Sequence, residues 1–198
     1  MSLESKYKEL KEKIILGDSE ALDMLYLDSF NRLVQYGLKF HLKNSTVSIK
    51  DIVQDLFIWI AQNPLKLKDI DNLEVYLFAA LKRNIYSEIK KIKAKQSVKD
   101  KFVASYVQRQ KNCEDSVESK LIVKETSDHN KNKIAQLISA LPAAQQEVIY
   151  LRNYINLDYK EIAKIMNLSE QVVRNYSYRA MQKMRSKAEY NTDSQMLM

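Results

Sequence analysis

Glycine and proline are nearly missing from this chain, with two of each in 198 residues. Hairpins and phosphate-cradling loops need those residues, so a strand-rich fold and a nucleotide loop are both disfavoured. Neither GxGxxG nor GxxxxGK[ST] occurs, and no run alternates apolar and polar residues convincingly. The single cysteine, Cys113, excludes an intramolecular disulfide and a cysteine-rich zinc site. His41 and His129 stand far apart in sequence, so no nucleophile–base–orienter set is visible. The most apolar run, Leu56–Ala61, is far too short to span a bilayer, and the N-terminal MSLESKYKELKEKIILGDSE is too charged for a signal peptide. A soluble cytoplasmic protein, not an enzyme and without metal or cofactor, is the expectation.

What is present favours helix: there are many Leu, Ile, Lys, Glu and Gln, and an all-α protein is expected. There are 32 basic against 25 acidic residues, a net charge of +7. That balance points modestly to a polyanionic partner, nucleic acid or an anionic membrane.

Helical punctuation divides the chain. Asp18 or Ser19 is placed to cap a helix that runs from Glu20 to about Leu42, with Leu22, Leu25, Tyr26, Leu33 and Tyr36 at helical spacing. Ser48 caps IKDIVQDLFIWIAQ, which ends at Asn63-Pro64 because the residue before proline avoids the α region. LKLKDIDN reads as a loop, and a further helix starts near Leu73. Polar residues crowd residues 96–116, which read as a linker between a helical domain at 1–95 and a second at 117–187, followed by a tail at 188–198; within it KFVASYVQRQ is also able to form a transient helix. In the second domain the helical signals are ESKLIVKET, NKIAQLISAL and, after Leu141-Pro142, AAQQEVIYLRNYI.

The second domain ends in DYKEIAKIMNLSEQVVRNYSYRAMQKMR, two amphipathic helices with a short break. Asp158 and Glu161 are spaced as a capping box, and Ile162, Ala163 and Met166 form an inner face. Asn167 tolerates a left-handed turn, Leu168 is placed to plug the core, and Ser169 caps the next helix. Val173, Ala180 and Met184 then form a buried stripe, opposite Gln171, Arg174, Asn175, Tyr178 and Gln182. This is a helix-turn-helix pattern. In a major groove Arg forks onto guanine and Asn or Gln onto adenine, while Lys160, Arg179 and Lys183 suit phosphates. The blander alternative is a solvated face on a structural helical hairpin.

Two faces of the first domain also invite partners. Asp51, Gln54, Asp55 and Ile58 share one side of their helix, away from the Ile52, Val53, Leu56 and Ile60 core stripe, and suit a basic protein surface. A solvated face with one exposed Ile fits them equally well. On the following helix Leu77, Leu81, Ile85, Ile89 and Ile92 point inward, and Lys82, Tyr86, Lys90 and Lys93 point outward with Arg83 and Lys91 flanking. Cations with an interleaved aromatic suit melted nucleic acid, where rings stack on bases; ordinary solubility residues are the plain alternative.

These segments together resemble a bacterial RNA polymerase sigma factor of the extracytoplasmic-function (ECF) group of the sigma-70 family. DIVQDLFIWI looks like the family's core-polymerase-binding helix, D-x-x-Q-D/E-x-F, and YLFAALKRNIYSEIKK like the helix that follows it. Residues 120–187 look like its second domain, with LPAAQQEVIYLRNY before the helix-turn-helix. The resemblance implies that the protein joins core RNA polymerase and directs it to a promoter set. Asp51, Gln54 and Asp55 would grip the polymerase, with Ile58 on the same face. A flipped base would sit in the loop from Lys66 to Asn72, and Lys82, Arg83, Asn84, Tyr86 and Lys90 would lie near the melted strand. Arg174, Asn175, Tyr178 and Arg179, with Gln171 and Lys160, would meet the upstream promoter element. An anti-sigma protein is a further partner the resemblance suggests. The chain departs from the family at Gln171-Val172, where Gly-Thr is usual, at Tyr176 for Arg and at Ser177 for Leu or Ile, which bears on sequence preference more than on fold.

Two other functions compete. A free-standing helix-turn-helix regulator with a ligand-sensing first domain would share the helix pair but has no use for an exposed DIVQD face. A metal-dependent nuclease built on Asp51, Asp55, Asp69 and Asp71 is the enzymatic alternative, and no supporting constellation accompanies those carboxylates.

Overall fold

A computed structural model describes residues 3–40, 42, 45, 47–107 and 136–196, whose regular elements are all helical, with no strand among the described residues. His41, Cys113, His129, the segment ESKLIVKET and the second half of the expected linker lie outside the described residues.

Helix α1 (Leu3–Ile15) buries Tyr7, Leu10 and Ile14, one face of a 3.6-residue repeat. The chain then turns at Gly17, whose φ of +89° suits a residue without Cβ. Asp18 caps α2 (Ser19–Gly37) by accepting from the Ala21 amide at 3.2 Å. A 3₁₀ turn at Leu38–Phe40 replaces the last expected turn of that helix. Ser48 and Asp51 form a reciprocal capping box that starts α3 (Ile49–Gln62), and Pro64 opens a 3₁₀ turn immediately after it.

Helix α4 (Leu73–Val107) is longer than its core stripe requires. It continues through residues 96–107, the first half of the expected linker, because no proline or glycine interrupts it there. The second half of the molecule contains a helical turn at 136–139, α5 (Ala143–Ile149), a π-helical turn (Tyr150–Tyr154), α6 (Tyr159–Met166) and α7 (Glu170–Met196). Helix α7 likewise runs on into the expected tail.

The two halves do not stand apart. Leu25, Leu33, Phe78 and Leu81 from the first half belong to the same apolar cluster as Val148, Leu151, Ile162 and Val173 from the second. Polar contacts follow the seam. Tyr36 Oη donates to Glu147 at 2.6 Å, Tyr150 Oη donates to the Arg32 carbonyl at 3.1 Å, and Asn72 Nδ2 donates to Glu161 at 2.8 Å. The rings of Tyr36 and Tyr150 stack across the seam, with centroids 6.1 Å apart. Close-packed apolar surface is the main favourable term in such an interface.

Candidate nucleic-acid and polymerase interfaces

The helix-turn-helix is built as its residues dictate. Asp158 accepts from the Glu161 amide at 2.7 Å, and Glu161 returns the bond from the Asp158 amide at 2.8 Å. Helix α6 ends at Asn167 with φ 53° and ψ 50°, a left-handed conformation that asparagine tolerates. Ser169 Oγ then accepts from the Val172 amide at 3.4 Å at the start of α7. Ile162, Ala163, Val173 and Ala180 are buried, and Met166 and Met184 are partly so. Leu168 departs from the expected plug: it is exposed, because the turn carries it outward, and Ile165 fills the core instead. Ser177 is buried too, and shares a hydrogen bond of 3.3 Å with the Tyr159 hydroxyl. A polar residue in the seam is therefore satisfied, which explains how serine stands where Leu or Ile is usual.

Away from that seam, Gln171, Arg174, Asn175, Tyr178, Arg179, Gln182 and Lys183 are all exposed, as is Lys160 on α6. The side chains are loosely organised along the helix. Gln182 donates to Tyr178 Oη at 2.7 Å, Gln171 to Asn175 at 3.4 Å, and Arg174 to Glu170 at 2.5 Å. Such a row offers planar donors and acceptors of the kind that pair with base edges.

On α3 the face of Asp51, Gln54, Asp55 and Ile58 is exposed throughout. Its two carboxylates differ in kind. Asp51 accepts from the Ser48 amide at 2.8 Å, and that bond holds its pKa below the ordinary value. Asp51 therefore starts the helix, while Asp55 lines a groove with Asn84, Ser87 and Lys91 of α4.

The outer face of α4 is divided. Arg83, Asn84, Tyr86 and Lys90 are exposed. Lys82, expected on the same open face, is not: its side chain is only 12 % exposed and its Nζ lies 2.7 Å from Glu147 Oε1. The second half covers it. In the loop after α3, Lys66, Asp69 and Asp71 are exposed, but Leu67 is buried and Asn72 is engaged at both ends, capping Val75 and bonding Glu161. A cleft of about 550 Å³ opens between α4 and α6, where Arg83 and Tyr86 face Lys164 and Asn167.

Sequence reasoning missed Glu147, Tyr36 and Tyr150 as a group. Tyr36 and Glu147 are 111 residues apart, and no local spacing connects them. Burial, then the charge and hydrogen bond of Glu147, raise the Tyr36 phenol well above its ordinary pKa. Lys39, with its Nζ 4.3 Å from the Tyr150 ring centroid, is lowered by burial, with Glu147 acting in the opposite sense.

Comparison with known proteins places these features. The family described as Sigma-70, region 4 matches residues 131–184, which contain the helix-turn-helix. The fold is similar to that of CnrH in its complex with the cytosolic domain of CnrY, at 18 % identity and a TM-score of 0.57, covering 93 % of this chain and 98 % of that one. It is also similar to the sigma factor RpoE in complex with the anti-sigma factor NepR from Bartonella quintana, at 19 % identity and a TM-score of 0.55, covering 84 % and 96 %. A search of curated proteins gives no match. Residues 131–184 thus match the sigma-70 region 4 family, and the fold along most of the chain is similar to that of these solved structures.

Proposed function

We propose that this protein is a sigma factor of the extracytoplasmic-function group, which binds core RNA polymerase and carries it to a specific set of promoters. The observation that supports this most is the exposed row from Gln171 to Arg179 on α7, set on a fully capped helix-turn-helix within the region 4 match. In this function Arg174, Asn175, Tyr178 and Arg179, with Gln171 and Lys160, read and grip the upstream element. Asp55, Gln54 and Ile58, with Asp51 at the head of their helix, dock on the polymerase. Arg83, Asn84, Tyr86 and Lys90, joined by Lys82 once it is uncovered, hold the melted strand of the downstream element. The domains of this scheme are 1–95 and 117–187, joined through a segment that includes the extension of α4.

The mechanism needs no covalent chemistry in the protein. Phosphate contacts set register, and base-edge contacts on α7 select the sequence. Unpaired bases then stack on Tyr86 between cations, which favours the open strand over the duplex. RpoE is held by an anti-sigma factor, and a protein of that kind is the off-state partner proposed here.

The test is a pull-down of bacterial core RNA polymerase with the purified chain, followed by transcription from a pool of random promoters. Binding with selective initiation is the expected result. Tight binding to one operator by the chain alone, without polymerase binding, would make it a free-standing regulator instead.

A further inference from the structure

Glu147 is a buried carboxylate at the centre of the seam between the two halves. Its Oε1 accepts from Tyr36 Oη at 2.6 Å and from Lys82 Nζ at 2.7 Å, so one oxygen joins α5 to both α2 and α4. Charged groups out of water are tolerated when paired and hydrogen-bonded, so the closed seam depends on this pairing, and opening it returns all three groups to solvent or to another partner. Lys82 begins the basic face of α4, which continues on the open side through Arg83, Tyr86 and Lys90. Beside it the cleft between α4 and α6 is lined by Lys82, Arg83 and Lys164, with no acidic side chain among the described residues that line it. An incoming phosphate is the natural substitute for the Glu147 carboxylate on Lys82.

We propose that Glu147 is an internal latch: it occupies Lys82 in place of nucleic acid and holds the chain closed, so that single-stranded DNA and the second half compete for the same face of α4. The inference deepens the promoter-opening role proposed above and rests on it for the identity of the competitor. Apparent affinity for the strand is reduced by the fraction of molecules that are open, and a chain about nine-tenths closed gains roughly tenfold on full opening. Any partner that separates the halves also releases Lys82.

The experiment uses the full chain and two variants, Glu147→Lys and the milder Glu147→Gln, with circular dichroism to confirm helicity. Small-angle X-ray scattering reports compactness, and anisotropy of a fluorescent single-stranded DNA of random sequence reports the α4 face. The expected result is a larger radius of gyration and oligonucleotide binding roughly tenfold tighter for Glu147→Lys, in the range a released closed state allows. Glu147→Gln moves both readouts the same way by less, and serves if Glu147→Lys loses helicity. Adding Lys82→Glu to Glu147→Lys restores compactness but not binding. Folded variants with unchanged radius would overturn the latch, and expansion without tighter binding would overturn the masking of α4. Core polymerase binding is measured separately: a chain that opens as expected but never binds polymerase keeps the latch and loses the proposed function.

Discussion

The Arg174 guanidinium lies 4.7 Å from the centre of the Tyr159 ring while donating to Glu170 at 2.5 Å. One side chain thus ties α7 to the helix before it, and does so from an exposed position. To reach a base it must leave Glu170, an exposed pair worth at most about 1 kcal/mol. Arg174→Ala is expected to remove about 1–3 kcal/mol of discrimination at one promoter position if the contact is bidentate. A panel of single-base promoter variants, bound by polymerase carrying the chain, checks this; an equal loss on every sequence would make Arg174 a phosphate contact. Glu170→Ala, by contrast, changes affinity by less than about 1 kcal/mol.

The two carboxylates of α3 separate by role. Asp55→Arg reverses a charge on an exposed face and is expected to weaken core polymerase binding while leaving thermal unfolding nearly unchanged. Asp51→Ala removes half of the capping box and is expected to lower the melting temperature first. Paired titrations of both variants against core polymerase, beside melting curves, distinguish the two. Full polymerase affinity in Asp55→Arg would take that residue off the docking face.

Gly37 is required by packing. A Cβ there would stand 2.5 Å from Ile49 Cγ2 and 3.4 Å from Ile85 Cδ1. Gly37→Ala is expected to destabilise the protein by about 1–3 kcal/mol in denaturant unfolding. Ile49→Ala removes the clashing methyl, so the double variant is less damaged than the sum of the two single ones. Additive losses would place the strain elsewhere.

Alkaline pH tests the seam. Burial, followed by Glu147, raises Tyr36 above its ordinary value of 10.0, and Tyr150 is raised by burial and by the neighbouring Tyr154. The closed state therefore keeps both phenols protonated where an exposed tyrosine ionises. Their stabilising contribution is complete below about pH 10 and is lost as pH rises through the raised folded values. Scattering radius and tyrosinate absorbance are expected to rise together above pH 10, and Tyr36→Phe to remove part of that dependence. Expansion well below pH 10 would point to a different group.

Much of this molecule was legible in its chain because the signals are local. Ser48, Asp158 and Glu161 cap within three residues of themselves, and Asn167 takes its left-handed turn from its own side chain. The stripes through Leu77, Leu81 and Ile85, and through Val173 and Ala180, are periodic and are buried as that periodicity requires. The exposed row on α7 follows from the same arithmetic. Where local signals were weak the sequence left more than one conformation open. Residues 96–107 are polar enough to read as linker, yet nothing in them breaks a helix, and α4 runs through them.

By itself, then, the sequence determined the helices, their caps and the chemistry of their outer faces, since each depends on neighbours a few residues apart. Only the tertiary structure decided that Glu147 meets Tyr36 and Lys82, that Asn72 meets Glu161, and that a basic face of α4 begins with a covered lysine. Those pairings join residues separated by 111, 65 and 89 positions. At such separations no periodicity survives along the chain, and the packing of one apolar surface on another selects which polar groups are brought together.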